Sequence, residues 1–332
     1  MCESYLIQKI ASDALIDQAY NWLCERREDY SHNNDVWRLR LLWRITKPDL
    51  QNRLLAGIYQ FGALTEIRLP DDTIELWRAQ DALVLKAMAI VLGHVMNPVL
   101  SDRCFHIAGR GGAKAAVRET LENLKPGSHI MKSDVKGYYA NIDHNILYGL
   151  AEEFTDDPAV LQLIWQYMNR TVCYGGLYRE VTRGISPGCP LSPLMGALYL
   201  KPLDDRMREQ DVFYARFMDD WVIIAPTRWK LRKAVRIVNE TLNLLKVEKH
   251  PDKTFIGRAE RGFDFLGYFM KPGGLGPSAG SLKRFAERIA RLYEQNACLK
   301  RIGQYILRWF RWVSAGVRDF LNFSSYNGAQ PP

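Results

Sequence analysis

The segment YARFMDDWVIIAP, Tyr214 to Pro226, sets two adjacent carboxylates, Asp219 and Asp220, inside an otherwise apolar, β-prone run. Aspartate is disfavoured in strands. Two neighbouring carboxylates removed from water also repel each other, so the pair demands a cation or raised pKa values. Three further Asp-Asp pairs have local explanations. Asp71-Asp72 follows Pro70 in a turn, and Asp156-Asp157 precedes Pro158 at a helix start, where acids favour the dipole. Asp204-Asp205 falls on a polar helical face among Lys201, Arg206 and Arg208. Only Asp219-Asp220 lacks such an explanation. Its surroundings read as two strands of a buried hairpin with Met218-Asp219 near the turn. A divalent ion is the natural counter-charge, because Mg2+ takes oxygen ligands and is commonly held by one or two carboxylates plus substrate phosphates.

A second acid in similar surroundings is Asp134, in HIMKSDVKGYYANIDH, at the end of a strand-like run and before a turn at Lys136-Gly137. Two strand-borne acidic sites brought together would hold two metal ions roughly 3.5–4 Å apart, the arrangement used for in-line phosphoryl transfer. One ion would lower the pKa of an attacking hydroxyl, and both would stabilise charge on the transferring phosphate. Asp143, in DHN after Ile142, reads first as a helix N-cap.

The elements that must carry these acids can be followed along the chain. The first 60 residues read as helices, with Leu15, Ala19, Trp22 and Leu23 on one face and Trp37, Leu41 and Ile45 on another. Residues 64–69 alternate like a strand and end at Pro70-Asp71-Asp72, and 79–96 form a long apolar helix. GRGGAKAA (109–116) is a Gly-rich loop leading to a short helix. Residues 158–169 and 229–246 are helical, and a strand lies near 254–256. PGGLGPSAG, from Pro272 to Gly280, reads as a flexible connector and a lobe boundary. Beyond it Ser281 is placed to cap a helix carrying Leu282, Phe285, Ile289 and Leu292, and a second amphipathic segment carries Ile302, Ile306, Trp309 and Val313. The last ten residues are small and polar and are expected to fray.

Bulk properties bound the function. With 332 residues and 47% hydrophobic content, the chain can build two or three lobes. No continuous run of eighteen apolar residues predicts a membrane span, and no basic, apolar leader predicts secretion. The six cysteines form no CxxC and no His-paired metal spacing, which fits a reducing cytoplasm and argues against a disulfide framework or a structural zinc site. Net charge is +8 and uneven: Arg228–Pro332 holds 20 Lys/Arg against 8 Asp/Glu, so this basic third is suited to phosphates.

Taken together, these residues resemble a bacterial reverse transcriptase of the group II intron-like, retron or defence-associated kind. FMDD (Phe217–Asp220) resembles the family's aromatic-x-Asp-Asp motif and SDVKGYYANIDH its preceding acidic motif. RGISPGCPLSPLMGALYLKPLD resembles the loop and helix that pack on template and nucleotide, HPDKT the lysine motif, and GFDFLGY the primer grip. They occur in the family's order and cover roughly residues 60–270.

The resemblance implies an α+β, right-hand polymerase with an RRM-like antiparallel palm and helical fingers and thumb. The expected division is a helical extension at 1–60, fingers at 61–130, palm at 131–275 (145–185 partly fingers) and thumb at 276–332. It implies Asp134, Asp219 and Asp220 as metal ligands, with Val135 as a further metal contact, for two Mg2+ ions that Mn2+ can replace. Lys253 would approach the triphosphate, Gly188 and Pro190 would shape the nucleotide pocket, and Arg68 and Arg78 would contact the triphosphate. Related enzymes usually carry Gln where this chain has Pro187, and more often Tyr than Phe217. Tyr139 occupies the place of an aromatic ring that excludes a 2′-OH and so favours dNTPs; the bland alternative makes Tyr139 core and turns Tyr138 to the sugar. The basic helices after the primer grip would track a duplex backbone, with Trp309, Phe310 and Trp312 divided between core and stacking on nucleic acid.

The implied activity is RNA-directed DNA synthesis on a structured non-coding RNA acting as template and primer, with an RNA–DNA duplex and dNTPs as partners, in antiphage defence. No zinc-binding, endonuclease or maturase-like segment is recognisable after the thumb. An intron-mobility enzyme, an RNA-synthesising or untemplated polymerase on the same palm, and a non-catalytic RNA-binding scaffold remain the alternatives. The sequence leaves the oligomeric state open, a homo-oligomer included.

Overall fold

The computed structural model describes residues 5–69 and 72–317. Eleven strands run through them in chain order: β1 (Leu64–Leu69), β2 (Asp72–Leu76), β3 (His129–Ser133), β4 (Thr171–Tyr174), β5 (Leu177–Glu180), β6 (Phe213–Phe217), β7 (Asp220–Ala225), β8 (Phe255–Arg258), β9 (Phe263–Phe265), β10 (Tyr268–Lys271) and β11 (Gly274–Pro277). They form three sheets, β2-β1-β4-β5, β6-β7-β3-β8 and β11-β10-β9, among many helices, a mixed helix-and-sheet architecture. Two compact units result. One comprises Met1–Ser101, Val135–Asp205 and Glu240–Glu248. The other comprises Asp102–Asp134, Arg206–Asn239 and Lys249–Pro332.

In the first unit the central helix is Ala79–Met96. It is long and apolar enough to cross a membrane by length and composition, yet most of it is buried as a core helix. It packs on the Tyr5–Ile10, Asp13–Arg26 and Asp35–Leu41 helices. The Asp13–Arg26 helix buries Ile16, Ala19 and Leu23, with Leu15 and Trp22 at the edges of the stripe. The expected Trp37-Leu41-Ile45 face does not form: Leu41 is 84% and Ile45 74% exposed, and Val36 and Leu39 are buried instead. The helix stops at Leu42 and a new one starts at Trp43, so the 3.6-residue phase is not carried across.

Two acids are helix caps, as their positions suggest. Asp143 accepts from the Asn145 and Ile146 amides, and Asp157 from those of Ala159 and Val160. Asp205 pairs with Lys201 on the helix surface, but Asp204, expected on the same polar face, is only 1% exposed. One residue is a rotation of about 100° on a helix, enough to move a neighbour from solvent to core.

The second unit is built on the antiparallel sheet β6-β7-β3-β8. Both of its faces are buried, which explains why WVIIA is apolar without alternation. Ile130, Ala215, Val222 and Ile224 join the core that includes Ala116, Val117, Leu121, Phe263 and Phe265. Met131, Tyr214, Trp221 and Ile223 are buried as well.

PGGLGPSAG is not a loose connector. Gly274–Pro277 is strand β11, paired antiparallel with β10 from Tyr268↔Pro277 to Lys271↔Gly274. The helix Ala279–Glu294 begins at once, capped by Ser278, whose hydroxyl accepts from the Ser281 amide, so Ser278 rather than Ser281 is the cap. Composition signals backbone freedom, but pairing partners decide whether that freedom is used.

Phe285 stacks on Trp309 of the Leu299–Val317 helix at 4.1 Å between centroids, while Leu282 stays 46% exposed. Trp312 stacks on Tyr268 at 4.8 Å, so both tryptophans are engaged within the unit, while Phe310, edge-on to Trp309 at 5.5 Å, is 56% exposed. Lys114 lies over the Tyr268 and Trp312 rings at 4.6 and 4.5 Å, and burial pushes its ammonium down to about 8. Pro70-Asp71 and the C-terminal ten residues lie outside the described residues.

Candidate active site

The strand register assembles the site. β3 is central, flanked by β7 and β8. Its ladder with β7 ends at Ser133↔Trp221, and its ladder with β8 at Lys132↔Phe255. Continuing both ladders past their last pairs sets Asp134 opposite Asp220 on one side and Lys253 on the other. The Lys253 ammonium donates to Asp134 Oδ2 at 2.7 Å. Lys132, directly opposite Val222, reaches diagonally to Asp220 Oδ1 at 3.4 Å.

Asp219 is carried by the two-residue connection between β6 and β7, whose last pair is Phe217↔Asp220. Its partner in the turn, Met218, has φ 57, a left-handed conformation that costs a non-glycine residue about 1–2 kcal/mol. The turn is clamped at both backbone groups. The Met218 amide donates to His106 Nδ1 at 2.9 Å, and Arg216 Nη1 donates to the Met218 carbonyl at 2.8 Å. Arg216 is fully buried, and its own backbone pairs with the Arg103 carbonyl and the Phe105 amide. Phe217 meets the His106 ring edge-on at 5.9 Å.

The electrostatics are those of crowded acids. Burial pushes the Asp219 carboxyl up to about 6, helped by repulsion from Asp220 and Asp134. Burial also raises Asp220, against the pull of Lys132. The hydrogen bond to Asp134 holds Lys253 above the usual lysine range. Asp134 is 5% exposed, and its Oδ1 is buried without a hydrogen-bond partner.

Among the described residues no three His, Cys, Asp or Glu side chains are already drawn in around one point. Here Lys132 and Lys253 serve as the counter-charges. The donor set nevertheless fits a hard divalent cation. It is all oxygen, mutually repelling, and includes one orphaned buried carboxylate oxygen. Lys253→Met is accordingly expected to tighten Mn2+ binding roughly two- to fivefold in calorimetry, because it frees Asp134 Oδ2; weaker binding would show that the lysine supports the acids rather than competing for them.

A groove of about 480 Å³ runs from Asp134, Asp220 and Lys253 to Asp264, Gly267 and Arg284. It reaches the turn between β9 and β10, where Gly267 has φ 86 and a Cβ would lie 2.7 Å from the Trp312 ring.

The remaining sequence candidates belong to the first unit. Tyr138 is 5% exposed and donates its hydroxyl to the Gly196 carbonyl, while Tyr139 is half-buried. A Cβ at Gly196 would stand 3.0 Å from the Tyr139 ring, so a larger residue there would press that ring outward by a few tenths of an ångström. Val135 is buried, Gly188 is exposed with φ 77, and Pro190 is half-buried.

Arg68 and Arg78 are not brought together. Arg68 lies opposite Thr73, near the end of the hairpin where β1 leads into β2, bonded to Glu66 and stacked on Tyr174 at 3.8 Å. Arg78 follows the other end of β2, with its guanidinium over Gly62. Lys132, His106 and Arg216 were missed. Arg216 had a signal, a lone cation in the same apolar run as the aspartates; His106 had none.

The sequence pattern of the reverse transcriptase (RNA-dependent DNA polymerase) family matches residues 77–270. Group II intron-encoded protein LtrA of Lactococcus lactis subsp. cremoris is 24% identical over 51% of this chain and 28% of its own length. Protein YkfC of Escherichia coli (strain K12) is 21% identical over 66% of this chain and 69% of its own. An uncharacterized 91 kDa protein in cob intron of Schizosaccharomyces pombe is 25% identical over 38% of this chain and 16% of its own. The match therefore spans little more than a quarter of the LtrA protein.

Proposed function

The chain belongs to the reverse transcriptase family, and from that premise we propose that it is an RNA-directed DNA polymerase that copies a structured non-coding RNA using two Mg2+ ions, in antiphage defence. The observation that carries the catalytic part is the placing of Asp134 beside Asp220 by strand register, with Asp219 in the adjoining turn and a buried Asp134 oxygen left unsatisfied. In this reading the β6-β7-β3-β8 sheet is the palm, the β1–β2 hairpin lies in the fingers, and the helices from Ala279 to Val317 form the thumb.

When bound, the two ions supply activation of the primer hydroxyl and charge neutralisation on the transferring phosphate. Asp134, Asp219 and Asp220 would hold them, and the backbone of Val135 adjoins that set. Lys253 stays protonated beside Asp134, so it is the residue to neutralise or protonate the departing diphosphate. The groove toward Gly267 and Arg284 receives the primer strand, with Arg284 on a phosphate. Arg68 and Arg78 remain candidates for the triphosphate, and Gly188 and Pro190 for the wall of the nucleotide pocket. Tyr139 is the sugar gate: Tyr138 is locked into the core, while the Tyr139 ring keeps an open side. A reducing cytoplasm suits Cys24, Cys104, Cys173, Cys189 and Cys298, none of which is in a disulfide among the described residues.

Primer extension with dNTPs, rNTPs and Mg2+ tests the activity directly. Binding of RNA with incorporation of neither nucleotide would leave a scaffold instead of a polymerase. Tyr139→Val is expected to lower the dNTP-over-rNTP ratio of kcat/KM about 10- to 100-fold, whereas Tyr139→Phe keeps it. An unchanged ratio in Tyr139→Val would move the gate elsewhere.

The match to a group II intron-encoded protein favours a second reading, an intron-mobility enzyme. Sequencing the nucleic acid that co-purifies separates the two. One enriched non-coding RNA with its DNA copy supports the defence reading, an intron RNA supports mobility, and unenriched cellular RNA counts against a dedicated template.

A further inference from the structure

Away from the carboxylates, the second unit carries a basic surface that the reaction does not use. The helix Arg228–Leu244 exposes Arg228, Arg232, Lys233 and Arg236, three of them in an i, i+4 row of like charge. Such a row is self-repelling on a helix and is relieved by an anion.

Arg228 and Arg232 face Arg258 and Arg261 across a groove of about 880 Å³. Among the described residues none of these four arginines has a carboxylate within ion-pair distance. The one acid lining the groove, Glu260, accepts from the Gly127 amide. The floor is apolar, formed by Leu231, Val235 and Ile256, the last 50% exposed on edge strand β8. Trp229 stands 78% exposed at the helix start, with the Arg232 guanidinium 5.6 Å from its ring centre. His129 and Arg258 mark this groove and pair at the start of β3, whereas Asp134 lies five residues on, just past the far end of that strand, about 16 Å away at ~3.3 Å per residue.

The geometry points to a docking surface for an unpaired stretch of RNA, remote from the reacting centre, an inference that rests on the reading of this chain as an RNA-handling enzyme. Guanidinium forks take phosphodiester oxygens. Splayed bases cover the aliphatic floor and stack on Trp229, as single-stranded RNA allows. A paired helix keeps its bases inside and would leave that floor bare. The surface holds RNA to the enzyme while the groove at Asp134 handles the primer end.

The test uses the full chain with Arg228→Glu, Arg232→Glu and Arg258→Glu combined, and a milder variant with the same three changed to Gln. Fluorescence anisotropy compares a labelled RNA hairpin bearing an unpaired 3′ tail of ~20 nucleotides, the hairpin without a tail, and the hairpin with a DNA tail; such tails exceed the usual ~4–16-nucleotide sites. Expected is at least about tenfold weaker binding of the RNA-tailed hairpin by the Glu variant, with a salt slope shallower by about two. The tailless hairpin, and extension of a short primer–template, stay within about twofold.

Unchanged affinity for the RNA tail in both variants overturns the docking surface. An equal loss for the DNA tail overturns its assignment to RNA. Unfolding of the Glu variant, read by circular dichroism, leaves the Gln variant to decide on the same criteria. If the unsubstituted protein extends no primer, the polymerase reading falls, while the loss of tailed-RNA binding still reports on the groove.

Discussion

Replacing Asp219 and Asp220 together by Asn is expected to abolish primer extension, by at least about 10³-fold in single-turnover rate, because the charge that would hold the catalytic cations is removed. RNA binding should stay within a few-fold, since the RNA contacts proposed above lie on basic surfaces elsewhere. The same double variant should be more stable than the parent in chelator. The Asp219 carboxyl is pushed up to about 6 from an ordinary 3.8, chiefly by burial. A raised acid binds its proton more tightly folded than unfolded, so the folded state is favoured at low pH and loses that stabilisation as pH rises from about 4 through about 6.

Above pH 6 the metal-free parent therefore carries a cost that Asn does not, roughly 1–2 kcal/mol after allowing for partial solvent screening. In thermal melts with EDTA the gain of the variant should be small near pH 4, about half developed near pH 5, and reach a few degrees at pH 8. Added Mg2+ should raise the melting temperature of the parent alone. Retained DNA synthesis would relocate the active site. A parent and variant that melt alike at pH 8 in EDTA would mean the acids are not strained when empty.

The second large effect is expected at Arg216, which touches no reacting atom. Arg216→Met should cost about 3–5 kcal/mol in urea unfolding, because it removes a buried, hydrogen-bonded cation and strips the Met218 carbonyl of its donor. With the left-handed turn released, Asp219 loses its fixed position. Single-turnover synthesis should then fall about 10²-fold even at temperatures where the variant is fully folded. Arg216→Lys keeps the charge without the planar fork and should lie between. A positioning role predicts that the loss appears in kcat more than in nucleotide KM. A Met variant as stable and as fast as the parent would show that His106 alone sets the turn.

Arg216 also shows how far the sequence could be read. The misfit of Asp219-Asp220 in an apolar run was visible because carboxylates in strands are costly, and the motifs around it pointed to the family. The hairpin, the Asp143 and Asp157 caps and the apolar core helix were equally legible, since each follows from residues within a few positions of one another. The Gly-rich segment at 272–280 misled, because glycine and proline report freedom of the backbone and not the presence of a strand to pair with. Leu41 and Ile45 misled because a helix break at Leu42 reset the phase.

By itself, then, the sequence determined the chemistry on offer: which acids lacked a local excuse, which strands carried them, and which third of the chain was basic. The tertiary structure alone decided that Asp134 stands between Asp220 and Lys253, a lysine 119 positions away along the chain. It also decided that His106 reaches across 112 positions to hold the turn at Met218, and that the arginines of one helix and one edge strand share a groove. The physical reason is that register and burial are set by pairing and packing between distant segments, whereas composition and periodicity report only on a residue and its near neighbours.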